Sequence, residues 1–280
     1  LIALGLFKKV AVADGLAITV DSIYASQGAV SSVDVLIATL AFTFQIYADF
    51  SGYSDIARGT SRLFGIPLML NFRTPYFSTS PQDFWNRWHI SLSSWLRDYL
   101  YISLGGNRGS VNKTYRNLML TMVLGGLWHG AAWNFVLWGI YQGGLLCVHR
   151  IWSVGRESGK YLANAGGRFY GFASALIFLP FVVYGWLLFR AESWQQIVDF
   201  STALVTLEGG GFGGELPKLS ALAALPLLML HDVLEYRHSN EETFLHRRPT
   251  PLRGLFYAGF IFCILLGLSN EGAQFIYFAF

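Results

Sequence analysis

The longest uncharged run of the chain contains one histidine. Residues 117–148 carry no Asp, Glu, Lys or Arg over 32 positions, and His129 lies near the middle of the run. An ionisable side chain at membrane depth is costly and usually faces the protein interior or a water-filled cavity. A straight helix of this length would rise about 48 Å, well beyond a hydrocarbon core of roughly 30 Å. The run therefore predicts a broken or re-entrant hairpin that bends near Gly125, Gly126 and Gly130, with His129 partway across the membrane at the wall of a wet pocket.

The composition supports a membrane environment. Only 13% of the residues are charged and 53% are hydrophobic, with a mean hydropathy of +0.42, whereas soluble domains average about 25% charged residues. We therefore expect an all-α polytopic protein in contact with the lipid bilayer. The net charge of +3 comes from basic residues scattered over loops, which argues against nucleic-acid binding. The two cysteines, Cys147 and Cys263, lie inside apolar runs without metal-ligand spacing, so no metal site is expected.

Four further apolar runs are candidate spans. Residues 169–189 and 254–270 are long enough to cross a bilayer, whereas 35–48 and 219–230 are short and predict shallow spans or spans that end on buried polar residues. Basic loops tend to stay cytoplasmic, which places both flanks of the His129 run on the cytoplasmic side. The opening residues read as the tail of a span. We therefore expect a single domain over residues 1–280 that forms the C-terminal part of a longer protein.

Residues 81–103 carry an apolar stripe. Its members recur every three or four positions, which is typical of one face of a helix: Phe84, Trp88, Leu92, Trp95, Tyr99 and Ile102. The segment carries too many charges to span, so it predicts one amphipathic helix that lies at the interface or packs over a bundle. His89 falls on the border between the apolar and polar arcs.

Polar residues close the first long apolar run, at positions 47–55. Asp49, Ser51 and Asp55 are residue types that cap helices by accepting bonds from free N–H groups. The alternative is that they orient a substrate or a catalytic histidine. Taken alone, His89 is most simply an interfacial hydrogen-bonding residue, whereas the depth of His129 favours a function.

Four ordered segments resemble motifs of the membrane-bound O-acyltransferase family, and most of all its alginate O-acetyltransferase branch. They are residues 47–55, 84–93 (FWNRWHISLS), 95–108 (WLRDYLYI through GGNR) and 127–130 (LWHG), and the ending at 275–278 is similar as well. The resemblance covers about residues 5–150. It implies a ring of transmembrane helices, with re-entrant and interfacial helices, around a central funnel.

The resemblance also implies an activity. Such a protein moves an acetyl group from a cytoplasmic thioester donor, acetyl-CoA or an acylated carrier, towards hydroxyls of an extracytoplasmic, alginate-like polysaccharide. It implies a bacterial inner-membrane location, no bound cofactor and a periplasmic acetyltransferase or esterase-like partner. His129 matches the family's essential histidine. His89 matches a second, more variable position, where other branches carry Asn or Asp.

Acyl transfer to a sugar hydroxyl needs a base, and a neutral imidazole suits that task. We expect His129 to be the general base, and His89 to orient the acceptor, stabilise the oxyanion or relay a proton. Trp128 and Asn134 are candidate pocket walls. The further substrate-binding candidates are Asp49, Ser51 and Arg97.

Two other classes of protein remain open. A haem-binding electron carrier would use His89 and His129 as axial ligands and would show a Soret band. A transporter or export scaffold would use His129 to relay protons, and it expects paired buried carboxylates, which the His129 run lacks.

Overall fold

Helices form all the regular structure in the described part of the chain. The computed structural model describes residues 1–26, 28–158, 168–238, 245 and 248–268. The α-helices are α1 (Ile2–Leu6), α2 (Asp14–Tyr24), α3 (Ser32–Leu63), α4 (Pro81–Trp85), α5 (Ile90–Trp95), α6 (Val111–His129), α7 (Trp133–Ser158), α8 (Arg168–Arg190), α9 (Trp194–Thr206), α10 (Leu219–Arg237) and α11 (Thr250–Gly267). Two π-helical segments, Phe7–Ala13 and Leu96–Tyr101, and a short 3-10 helix at Pro75–Phe77 complete the order. The predicted all-α class is confirmed.

Four helices are long and apolar enough to cross a membrane, and each overlaps one of the four runs identified from the sequence. They are α3, Gly171–Arg190 within α8, α10 and α11. The helices that contain the two short runs are longer than the runs themselves. α3 continues to Leu63 and α10 continues to Arg237, and both extensions include buried polar residues. The chain is therefore a membrane protein. The segment 275–278 lies outside the described residues.

The chain divides into two units, Leu1–Leu70 with Gln195–Phe280, and Asn71–Trp194. In the first unit, α1 packs against α3 through glycines. A Cβ on Gly5 would lie 2.5 Å from the carbonyl oxygen of Gly52, and a Cβ on Gly52 would lie 2.8 Å from the carbonyl oxygen of Gly5. Glycine at both positions lets the two backbones touch, as in many membrane helix pairs.

The carboxylates of 47–55 are buried in this first unit and form ion pairs. Asp49 and Asp55 lie inside α3, so the capping interpretation is wrong. Lys8 Nζ is 2.7 Å from Asp55 Oδ2, and Lys9 Nζ is 2.7 Å from Asp49 Oδ1. Because these ammonium groups neutralise the carboxylates, α3 continues past them. Ser51 is also inside α3, and its buried hydroxyl has no hydrogen-bond partner among the described residues.

The second unit contains the predicted hairpin, and its bend agrees with the prediction in part. α6 ends at His129 and α7 begins at Trp133, so the turn is at residues 130–132. Gly126 lies inside α6, where a Cβ would be 2.2 Å from the carbonyl oxygen of Phe135 on α7. Gly125 also lies inside α6. The predicted bend near Gly130 is confirmed. Its predicted extension to Gly125 and Gly126 is wrong, because Gly126 allows the two helices to touch and does not turn the chain. The membrane depth and the cytoplasmic flanks of the hairpin stay predictions.

Residues 81–103 do not form the single predicted helix. The chain leaves α4 after Trp85, and His89 has a left-handed backbone with φ 43° before α5 begins. The N–H of Ile90 donates to the carbonyl of Asn71 at 3.0 Å, and the N–H of Arg73 donates to the carbonyl of Arg87 at 2.9 Å. These long-range backbone bonds satisfy groups that would otherwise bond within a helix, so the helix is interrupted.

The apolar stripe of this segment is split in the same way. Phe84 and Trp88 are buried, whereas Trp95, Tyr99 and Ile102 are exposed in the isolated chain. The first half of the stripe therefore belongs to the core of the second unit. Contact of the second half with a membrane interface stays a prediction.

Candidate active site

His129 is the last residue of α6, and its partly buried imidazole lies among aromatic rings. The centroid distances are 5.0 Å to Trp128, 5.3 Å to Trp138, 5.1 Å to Phe189 and 6.2 Å to Phe135. Trp138 and Phe135 come from α7 and Phe189 comes from α8, so three helices contribute to the cluster. We call these four rings the aromatic box.

His89 lies next to this box. Its buried ring is 6.3 Å from the ring of Trp128, and its Nδ1 is 3.3 Å from the hydroxyl of Ser91. Trp128 is thus in contact with both histidines and is itself half exposed. The structure therefore brings together the two histidines that the motifs identify. His89 lies between α4 and α5 and not within the single helix that was predicted.

Both imidazoles are held in their neutral form. Burial, and next the positive charge that His89 can carry, lowers the pKa of His129 from its ordinary value of 6.5 to about 3. Burial also lowers the pKa of His89 to about 4. Both residues lie outside the four candidate spanning helices. At neutral pH each ring therefore has a nitrogen lone pair that can accept a proton or a hydrogen bond.

Asn134 is part of the same region. Its Nδ2 donates to the carbonyl of Phe189 at 3.3 Å, which ties the beginning of α7 to the end of α8. Asn134 therefore bonds to the backbone of one residue of the aromatic box. Substrate contacts of Asn134 and Trp128 stay predictions.

A cavity of about 570 Å³ lies in the second unit, and Arg97 is among the residues that line it. Arg97 is largely exposed and donates to Asp98, with Nε 2.7 Å from Oδ1. His129 and His89 do not line this cavity. Trp85 does, and its ring is 5.8 Å from Trp138, which contacts His129. Two ring contacts therefore connect the cavity to the imidazole.

The predicted site residues do not all fall in one unit. His89, Arg97, Trp128, His129 and Asn134 lie in the second unit. The remaining two, Asp49 and Ser51, lie in the first unit, where Asp49 pairs with Lys9. Their role as substrate ligands stays a prediction.

Sequence reasoning missed a buried ionisable cluster in the first unit. His231 Nδ1 is 3.2 Å from Asp232 Oδ1 and 3.8 Å from Glu235 Oε2. The ligand-type atoms of these three residues lie within 4.8 Å of one another and are of the kinds that hold metal ions. The signal was a His-Asp-x-x-Glu sequence directly after an apolar run, since residues i and i+4 share a helix face. It is the type of carboxylate pair that a transporter would need.

Comparison with known proteins gives a consistent result. The model of a family described as MBOAT, membrane-bound O-acyltransferase family, matches residues 1–165. A probable alginate O-acetylase AlgI of Pseudomonas aeruginosa is 49% identical over 191 residues, which cover 68% of this chain and 35% of that protein. A peptidoglycan O-acetyltransferase of Helicobacter pylori is 39% identical over 207 residues, 74% of this chain and 38% of that protein.

A more distant relative extends the comparison. A teichoic acid D-alanyltransferase of Bacillus subtilis is 30% identical over 170 residues, 58% of this chain and 42% of that protein. The chain spans between about a third and two fifths of the length of these three relatives. The matched family region contains the aromatic box except Phe189, together with both histidines.

Proposed function

Because the chain belongs to the membrane-bound O-acyltransferase family, we propose that it carries the catalytic centre of an enzyme that O-acetylates a polysaccharide. The observation that carries the proposal is the pair His89 and His129, held neutral and within contact of one tryptophan inside the matched region. Burial in the aromatic box favours the neutral base over the imidazolium.

His129 acts as the general base. The acceptor hydroxyl oxygen bonds to the carbonyl carbon of the acyl thioester while its proton moves to the imidazole of His129. The carbon–sulfur bond then breaks, and the departing thiolate takes the proton from the imidazolium. His89, whose ring also contacts Trp128, orients the acceptor or relays the proton. The products are the acyl ester and a free thiol, and His129 is neutral again.

The acceptor is an extracytoplasmic polysaccharide. The names of the relatives support this class, since they refer to alginate, peptidoglycan and teichoic acid. Of these, alginate-like chains are the first candidate because the identity to the alginate O-acetylases is highest among the three. The donor is a cytoplasmic thioester, acetyl-CoA or an acylated carrier. The enzyme works in the bacterial inner membrane with a periplasmic acetyltransferase or esterase-like partner.

The decisive experiment replaces His129 by Gln in the protein in its native membrane. Loss of general-base catalysis is expected to reduce acetyl transfer by about 10²- to 10⁴-fold. Transfer is measured from radiolabelled acetyl donor to polysaccharide, at protein amounts matched by immunoblot. His238→Gln is the control, because His238 lies in the first unit and bonds to the carbonyl of Leu234. Normal acetylation by His129→Gln at a normal protein level would refute the proposal.

A second candidate is a proton-coupled export scaffold, and one observation favours it. The buried pair Asp232 and Glu235, next to His231, is the paired carboxylate that such a protein needs. This candidate predicts that polymer export, measured as extracellular polysaccharide, is lost in Glu235→Gln while acetyl transfer per polymer is normal. The acyltransferase predicts instead that export continues in His129→Gln and that the exported polymer lacks acetyl groups.

A further inference from the structure

Three tryptophans of the second unit have buried indole N–H groups that make no hydrogen bond within the described residues. They are Trp85, Trp138 and Trp186. A buried tryptophan usually finds an acceptor for its N–H, because leaving a buried donor unpaired costs free energy. Each of these three N–H groups is therefore a candidate donor to a hydrogen-bond acceptor on a substrate.

One of the three belongs to the aromatic box. Trp138 is 2% exposed, and its ring meets that of His129 nearly at a right angle, with 5.3 Å between centroids. Trp186 is equally buried but contacts Trp88 at 4.6 Å and Phe189 at 5.8 Å. Trp138 is therefore the unpaired donor next to the proposed base, and Trp186 is a comparable donor in the core.

Trp85 indicates the direction from which the acyl thioester would approach. It lines the cavity of about 570 Å³ and contacts Trp138 edge-on at 5.8 Å. A thioester in the cavity would contact Trp85, and Trp138 lies one ring contact further towards His129. The rings of Trp85 and Trp138 thus form the two contacts that connect the cavity to His129.

Acyl transfer is accelerated by a hydrogen-bond donor of this kind. When the hydroxyl adds to the thioester, the carbonyl oxygen gains negative charge, and fixed hydrogen-bond donors in a dry site stabilise it strongly. Of the other rings of the box, Phe135 and Phe189 have no N–H, and Trp128 is half exposed. The end of α6 at His129 presents carbonyl groups, which would repel an oxyanion.

We propose that Trp138 is a catalytic hydrogen-bond donor whose indole N–H binds the carbonyl oxygen of the acyl thioester as it becomes an oxyanion. The inference rests on the proposed acyl transfer. As the hydroxyl oxygen bonds to the carbonyl carbon, the carbonyl π electrons move to the oxygen held by Trp138, and the proton moves to His129. When the carbon–sulfur bond breaks, the carbonyl re-forms and the thiolate takes the proton. Trp138 keeps its own proton throughout.

The experiment removes the N–H and keeps the ring. Trp138→Phe is the simple variant. Incorporation of 3-benzothienylalanine at position 138 is the sharper one, because sulfur replaces the N–H in a side chain of the same shape. Trp186→Phe is the matched control, with the same burial and the same unpaired donor. The measurements are kcat and KM for acetyl transfer in native membranes, at equal amounts of folded protein.

Loss of one oxyanion donor typically lowers kcat by about 10²- to 10³-fold. We expect this loss in both variants at position 138, with KM nearly unchanged, because the bond strengthens only in the transition state. Trp186→Phe is expected to have a kcat close to that of the wild type.

Three results would overturn the inference: a normal kcat with 3-benzothienylalanine at position 138, a rise in KM alone, or an equal loss of kcat in Trp186→Phe. His129→Gln is measured in the same series. If it is inactive while the Trp138 variants are active, the inference fails and the proposed function stands. If His129→Gln is active, the proposed function itself fails.

Discussion

The contact between α6 and α7 at Gly126 allows a quantitative prediction about His129. A Cβ at position 126 would lie 2.2 Å from the carbonyl oxygen of Phe135, and ordinary van der Waals contact begins at 3.4 Å. The obstacle is a backbone atom, which cannot rotate away as a flexible side chain would. Gly126→Ala therefore requires the two helices to separate locally by roughly 1 Å.

That separation acts on the site directly. His129 follows Gly126 by three residues on α6, whereas Phe135 and Trp138 of the aromatic box are on α7. Displacement of a catalytic group by about 1 Å can cost about 10²-fold in rate, and overpacking costs about 1–3 kcal/mol of stability. We expect losses of this size in the acetyl-transfer rate and in the free energy of unfolding for Gly126→Ala.

The matched control is Gly144→Ala on α7. A Cβ at position 144 has nothing within 4 Å, so the substitution adds helix propensity and is expected to stabilise by about 0.5–1 kcal/mol. The assays are acetyl transfer at saturating donor and acceptor, and thermal unfolding in detergent. A Gly126→Ala protein with the rate and the unfolding temperature of the wild type would refute the argument that the backbones touch.

Three further outcomes follow from the buried groups. Lys8→Met leaves the buried carboxylate of Asp55 without its 2.7 Å partner and is expected to lower the free energy of unfolding by about 3–5 kcal/mol. Adding Asp55→Leu should restore most of that stability in thermal unfolding. A double variant no more stable than Lys8→Met alone would contradict this prediction. His89→Gly and His89→Ala both remove the imidazole and should lose activity to the same extent. The glycine variant should be more stable than the alanine variant by about 1–2 kcal/mol, because φ at position 89 is 43°. Equal melting temperatures of the two variants would show that the backbone is not strained. Since burial lowers the pKa of His129 to about 3, the neutral base form persists as the pH falls, and kcat should not change through pH 6.5. A fall in kcat with its midpoint near pH 6.5 would show that the imidazole is exposed to solvent.

The spanning helices and the hairpin were predictable because their signal is local. Run length and the absence of charge identify an apolar helix wherever it packs, and each of the four candidate spans overlaps a predicted run. The interruption between Trp85 and Ile90 was not predictable, because the apolar spacing of Phe84 and Trp88 fits a continuous helix equally well. What breaks the helix is backbone bonding to residues 71–73, which are distant in sequence.

The site shows the same division. His89 and His129 could be identified from motifs, whereas Trp138 and Phe189 had no signal of their own within long uncharged runs. Phe189 reaches His129 from α8, 60 residues further along the chain. The carboxylate of Asp49 was misread as a helix cap because its partner, Lys9, lies 40 residues earlier. Pairings of this kind are fixed by tertiary packing and leave no local pattern.

The left-handed backbone at position 89 restricts which side chains evolution can place beside His129. Asn, Asp and His adopt this conformation several-fold more often than other non-glycine residues, whereas β-branched and bulky apolar residues are strongly disfavoured there. The residues that the backbone accepts are thus also those with a polar group to offer a substrate. An imidazole, an amide or a carboxylate can therefore stand at this position without rebuilding the turn, so the polar group beside His129 can change while the scaffold stays the same.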